Sequence, residues 1–142
     1  TKIKRQRANL SHKIVLEKLY DHLEKLGATP LENEHIDLFA QLPSEDKFVF
    51  EVKSINVNNL LSQTRKGVSQ LYEYRYRYQD VIGYDVNLFL VYPEEPTVVP
   101  WLQEYLCKDR HIGIIWFDEN DHIQLTSHCE SIARVLKHQA AL

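Results

Sequence analysis

The chain has 142 residues, 44% of them hydrophobic, 26% charged and 11% aromatic, enough for one globular domain with a real core and too few for two. A net charge of −3 argues against a generic polyanion coat, and five prolines with four glycines do not suit a fibrous or disordered chain. No run approaches the roughly eighteen apolar residues of a membrane span, no signal peptide is visible, and two isolated cysteines, Cys107 and Cys129, suit a reducing, cytoplasmic setting.

In chain order, Ser11 reads as the N-cap of a helix to about Leu26. Val15, Leu16, Leu19, Leu23 and Leu26 carry its apolar stripe, and Gly27 is a natural stop. A connection over 28–34 leads to a strand from His35 to Leu42, a turn at Pro43-Ser44-Glu45-Asp46, and a second strand from Lys47 to Lys53. The run Phe48-Val49-Phe50 is apolar on both faces, as a central strand requires. A long helix follows from Leu60 to Tyr78. The tyrosines from Tyr72 to Tyr78 alternate with period two, which competes as a strand, but Leu61, Val68, Leu71 and Tyr72 keep helical spacing with no turn between. Next come a strand from Val86 to Tyr92, a short helix from Trp101 to Lys108, and a hairpin of Gly113–Phe117 with His122–Leu125. A last helix opens at Ser127 or Ser131. The order predicts an α/β domain, a three-layer sandwich with a mixed central sheet flanked by helices. With no methionine, even at position 1, and an end inside a helix-like segment, the 142 residues are expected to be one domain of a longer chain.

Glu51 and Lys53 close the strand that looks most buried, where charge is costly unless it is paired or binds metal. Period two puts both on one face. If Leu42 pairs with Phe48, Asp37 falls opposite Lys53, and Asp37, Glu51 and Lys53 converge. Two carboxylates suit Mg²⁺, which takes further contacts from water and phosphate, and a lysine can orient the water or stabilise the transition state. The plain alternative is a surface Glu51–Lys53 pair beside an unrelated aspartate. Downstream, Gln63, Gly67, Gln70, Tyr74 and Arg77 make one polar stripe on the long helix, where an amide and a phenol could hold a lysine, a water or a phosphate.

Asp37, then Glu51-x-Lys53, then Gln70-x-x-x-Tyr74 resembles the PD-(D/E)xK (restriction endonuclease-like) nuclease superfamily, closest to its RecB-like branch with a QxxxY helix. The resemblance spans about Leu10 to Tyr92, with Ile36 where the family usually has proline. It implies a metal at Asp37, Glu51 and the Val52 carbonyl, and a catalytic Lys53 assisted by Gln70 and Tyr74. A polar group on the first helix, His12 or Glu17, would contribute. The implied activity is Mg²⁺-dependent DNA cleavage, with Mn²⁺ able to substitute, endonucleolytic rather than exonucleolytic, in restriction, repair or anti-phage defence. A silent nucleic-acid-binding or scaffolding domain of the same fold is the rival. DNA and the other domains of a longer chain are the expected partners, a homodimer is compatible, and no membrane is involved.

Other features carry less. Cations cluster at Lys2, Lys4, Arg5 and Arg7 and at Arg65, Lys66, Arg75 and Arg77; Arg65, Lys66 and Arg77 could meet nucleic acid, or be solvated faces. Cys107-x-x-x-His111 with His128-Cys129 lacks the spacing of zinc knuckles, so buried cysteines and surface histidines are the simpler reading. Trp101 and Trp116 read as core. The tyrosine run could stack on bases, although aromatic helix faces more often pack inside.

Overall fold

In the computed structural model the backbone is described for residues 2–137, and side chains for 10–129 and 134–137. Helix α1 runs Lys2–Lys25, so Ser11 lies inside it rather than capping it. The side chains of the N-terminal cluster Lys2, Lys4, Arg5 and Arg7 lie outside the described residues. The helix ends as the sequence predicts. Gly27 adopts φ +89°, Ala28 N–H donates to the Leu23 carbonyl and Gly27 N–H to the Glu24 carbonyl, the paired bonds that satisfy the last carbonyls of a helix.

Strands β1 (Leu38–Gln41), β2 (Lys47–Val52), β3 (Asn87–Tyr92), β4 (Ile112–Phe117) and β5 (Ile123–Leu125) form one five-stranded sheet in that order. The pairs β1–β2 and β4–β5 are antiparallel; β2–β3 and β3–β4 are parallel. The parallel pairs need crossovers. Helix α2 (Leu60–Arg77), continued by the single turn α3 (Gln79–Ile82), supplies the first, and α4 (Leu102–Glu104) with a π turn over Tyr105–Asp109 supplies the second. The tyrosine run is therefore helix. After β5 a 3₁₀ turn, Ser127–Cys129, leads into α5 (Glu130–Lys137).

Alternation along the central strands sorts the core into two layers. Phe48, Phe50, Val52, Phe89, Val91 and Ile115 meet Val15, Leu19 and Leu23 of α1 and Leu136 of α5. On the other face Val49, Leu88, Leu90, Tyr92, Ile112 and Ile114 meet α2 and α4. The chain is thus a three-layer α/β sandwich with a mixed sheet. The predicted first strand is shorter than expected: the chain enters it only at Leu38, and the register is Leu38↔Phe50, Ala40↔Phe48 and Gln41↔Lys47. The expected Leu42–Phe48 pairing is off by two residues, because the Leu42 N–H bonds the Asp46 carbonyl and Glu45 takes φ 76°, tightening the turn. A shift of two preserves the face but moves Asp37 from opposite Lys53 to the position opposite Glu51.

Trp101 is also displaced from its predicted core position: it is 52% exposed, whereas Trp116 is partly buried against the α2-side core. Beneath α1, Phe48, Phe50 and Phe89 pack with ring centroids 5.5 to 6.0 Å apart. Gly113 lies opposite Phe89 in the ladder, and a Cβ there would come within 2.3 Å of the Phe89 ring. Gly113→Ala is therefore expected to lower the melting temperature by about 3–12 °C, through about 1–3 kcal/mol of overpacking. An unchanged thermal melt would mean that the Phe89 ring has room to move aside.

Candidate active site

Asp37 is delivered by a tight turn rather than by the strand itself. The Asn33 side-chain oxygen accepts the N–H groups of His35 and Ile36, both at 2.7 Å, and Ile36 is buried in the core on the α2 side. The apolar Ile36 side chain thus anchors the turn. One Asp37 carboxylate oxygen accepts the Val52 N–H at 2.9 Å and lies 3.2 Å from His12 Nε2. That ties β1 to the end of β2 and brings α1 to the same point. His12, not Glu17, is the first-helix residue at the site; Glu17 is exposed. The hydrogen bond to Asp37 raises the His12 pKa above its ordinary value, against the opposing effect of burial.

Glu51 and Lys53 are 5% and 7% exposed and form an ion pair at 3.2 Å. The Lys53 ammonium also donates to the Gln70 side-chain oxygen at 2.7 Å. The Lys53 N–H bonds the Val91 carbonyl, which extends the β2–β3 ladder one residue beyond Val52. The other Glu51 oxygen, Oε1, is buried with no hydrogen-bond partner. Burial, then the neighbouring Asp37 charge, pushes the Glu51 pKa up to about 7, although Lys53 and His12 pull it down. Tyr74 is buried one helical turn beyond Gln70, and burial with the charges of Glu51 and Asp37 raises its phenol to about 12.

His12, Asp37, Glu51, Lys53, Gln70 and Tyr74 thus share one site. It lies where β2 ends, within reach of α1 on one side and α2 on the other. A buried carboxylate oxygen without a donor, beside a second carboxylate, suits a divalent cation, which would compensate both charges. Asp37, Glu51 and the Val52 carbonyl are the groups that fit that role. Among the described residues no group of three or more His, Cys, Asp or Glu side chains forms a ready-made metal cage.

Other candidates fall elsewhere. Arg65 and Lys66 are exposed on α2, and Arg77 pairs with Glu73 at 3.2 Å. Arg75 packs over the rings of Tyr72 and Tyr84, and the Tyr72 hydroxyl donates to the Arg110 carbonyl. Cys107 and Cys129 are buried free thiols, whereas His111 and His128 are exposed. The role of Gly67 went unread in the sequence. A Cβ there would come 2.6 Å from Leu90 Cδ2 and 2.9 Å from Lys53 Cε, so the missing side chain is what lets the lysine stem pass under α2. A glycine inside a helix costs about 1 kcal/mol relative to alanine, and that was the available signal.

No family model matches the chain, and no curated protein matches it. Among solved structures, it is similar to the crystal structure of a repair endonuclease from Pyrococcus abyssi, with a TM-score of 0.47 and 14% identity. The match covers 75% of this chain and 46% of that one, so the chain spans less than half the length of that protein.

Two expectations follow from the geometry. The fold favours a protonated Glu51: the group costs no stability below about its ordinary pKa of 4.5, and its cost grows as pH rises toward 7. Glu51→Gln, which keeps the shape and an acceptor for Lys53, should raise the metal-free melting temperature by several degrees near pH ~8 and leave it unchanged near pH ~4.5. Equal shifts at both pH values would contradict a buried, titrating carboxylate. Gly67→Ala should destabilise by about 1–3 kcal/mol, and by about 0.5–3 kcal/mol less when Lys53→Ala has removed the stem. Additive losses in chemical denaturation would show that Leu90 alone supplies the clash.

Proposed function

We propose that this domain is a metal-dependent deoxyribonuclease of the PD-(D/E)xK superfamily, cleaving phosphodiesters by attack of water on phosphorus. The observation that carries this reading is the buried Glu51 carboxylate, with one oxygen unpartnered, beside Asp37 and tied through its other oxygen to a lysine that α2 holds in place. Packing alone has no use for such a cluster, because buried charge costs several kcal/mol per ion. When bound, Mg²⁺ would neutralise phosphate charge and acidify a water.

The chain's own residues have separable tasks. Asp37 and Glu51, with the Val52 carbonyl, would hold the cation; Mn²⁺ would serve as well. An ammonium has three N–H donors. Glu51 and Gln70 engage Lys53, and its remaining donor is available to orient the water or stabilise charge on the phosphate oxygens in the transition state. Gln70 positions Lys53 rather than reacting. Tyr74, with its phenol near 12, stays protonated at neutral pH and so can donate a hydrogen bond but not act as a base. His12 orients Asp37 by sharing its oxygen. Restriction, repair and defence are pathways consistent with this chemistry, and an endonuclease suits it better than an exonuclease.

The test is cleavage of supercoiled and end-labelled DNA with Mg²⁺, Mn²⁺ or chelator. Nicking of the circle would mark an endonuclease. Lys53→Ala should lower turnover by about two to four orders of magnitude while DNA affinity stays nearly intact, since a lost transition-state contact affects rate rather than binding. Asp37→Ala and Glu51→Gln should abolish the heat of Mn²⁺ binding in calorimetry. Gln70→Ala and Tyr74→Phe should each reduce cleavage with little change in melting temperature. DNA binding without cleavage by the parent protein under any metal would instead identify a silent binding domain.

A further inference from the structure

The flank of α2 that turns away from Lys53 borders a groove of about 250 Å³. Leu61, Arg65 and Val68, at steps of four and three, form one wall, and Trp101 and Tyr105 form the other. Trp101 is 52% exposed and Tyr105 43%, and their rings meet edge to face with centroids 5.7 Å apart. Two large aromatic side chains therefore stand half in water around an apolar cleft, with a guanidinium beside them.

The α2 side of that cleft is cationic, while on the α4 side the exposed Glu104 is paired with Lys108. From Ile55 through Tyr72 the chain has no acidic residue, and Arg65 and Lys66 are its only charges. Both are exposed, as are Ser62 and Ser69 on the outer face of the same helix. That outer face separates the groove from Gln70, which holds Lys53 on the opposite flank. A helix is about 10–12 Å across, roughly three nucleotide steps at about 3.4 Å per step. A strand held at Lys53 could cross α2 over Lys66 and Arg65 and bring a base into the cleft within a few nucleotides.

We propose that the groove between α2 and α4 is a stacking site for an unpaired nucleobase of the strand bound at Lys53. The base lies against Trp101, Tyr105 closes the end of the slot, and Arg65 takes an adjoining phosphate. The apolar wall of Leu61 and Val68 suits the face of any base, so the site is tolerant of sequence. Stacking of this kind needs a bare ring face, so it selects single-stranded or locally melted DNA over intact duplex. The inference rests on the nucleic-acid reading of the neighbouring site and names the form of strand that site receives.

The test separates the two. Binding of a short fluorescein-labelled single strand and of the matching duplex is followed by anisotropy in chelator, so that no cleavage intervenes. Trp101→Ala should weaken single-strand binding by about 5- to 150-fold and change duplex binding by less than about twofold. Trp101→Phe should retain most of the affinity, and Arg65→Ala should weaken binding and flatten its salt dependence. Trp101 is half exposed, and a melting curve verifies that each variant is folded. Single-strand binding unaffected by Trp101→Ala, equal loss on both DNAs, or no binding by the parent protein would overturn the proposal. Cleavage in Mg²⁺ is scored separately. A parent that cleaves although Trp101→Ala has no effect on strand binding removes the stacking site and leaves the nuclease reading standing. Trp101-dependent strand binding by a parent that never cleaves does the reverse.

Discussion

The buried ion pair between Glu51 and Lys53 is the constraint to which the rest of this structure is fitted. Both side chains lie on the α2 face of the sheet, below one-tenth exposure, where ions lose most of their hydration. Each therefore has to be answered by a specific neighbour. The ammonium gains Gln70 as a second partner, and its stem passes through the gap left by Gly67. Glu51 keeps one oxygen without a donor, and Asp37 adds a second negative charge beside it. An arrangement that raises the energy of a buried carboxylate does not serve stability, and it is the observation on which the proposed function rests.

The two faces of the sheet divide the labour. Under α1 the core is continuous, with three phenylalanine rings and a glycine that makes room for one of them. Under α2 the apolar layer of Val49, Leu88, Leu90 and Tyr92 is interrupted at the end of β2 by charge. That end is also where the turn before β1 delivers Asp37 and where His12 of α1 reaches the same carboxylate. The site therefore draws on both outer layers while the apolar core carries the fold. Gly67 belongs to both site and core, since it packs against Leu90 and admits the Lys53 stem.

Helix α2 reaches beyond the candidate site. Its inner face buries Leu60, Thr64, Leu71 and Tyr74, one flank presents Gln70 to Lys53, and the other borders the Trp101–Tyr105 groove. Thr64 and Tyr92 share a buried hydrogen bond of 2.7 Å that ties the helix to the end of β3. A helix fixed at several heights in this way holds its two flanks, the candidate site and the groove, in constant relation, which the proposed nuclease function would need for positioning a strand.

Local pattern alone determined much here. Apolar periodicity and stop signals marked the helices and strands, down to Gly27 at the end of α1, because those features depend on nearest neighbours along the chain. Period two set Glu51 and Lys53 on one face, and the stripe of Gln70 and Tyr74 followed from a helix that overrode the alternation of its tyrosines. The tertiary structure decided what contacts across the chain decide. The turn at Glu45 moved the β1–β2 register by two, so that Asp37, just before the Leu38↔Phe50 pair, falls level with Glu51 instead of Lys53. The path of α1 chose His12 over Glu17, and the crossover through α4 turned Trp101 outward from its expected place in the core. The stem of Lys53 gave Gly67 its purpose. Each of these depends on which surfaces meet after folding, and a one-dimensional pattern of hydrophobicity and charge holds no record of that.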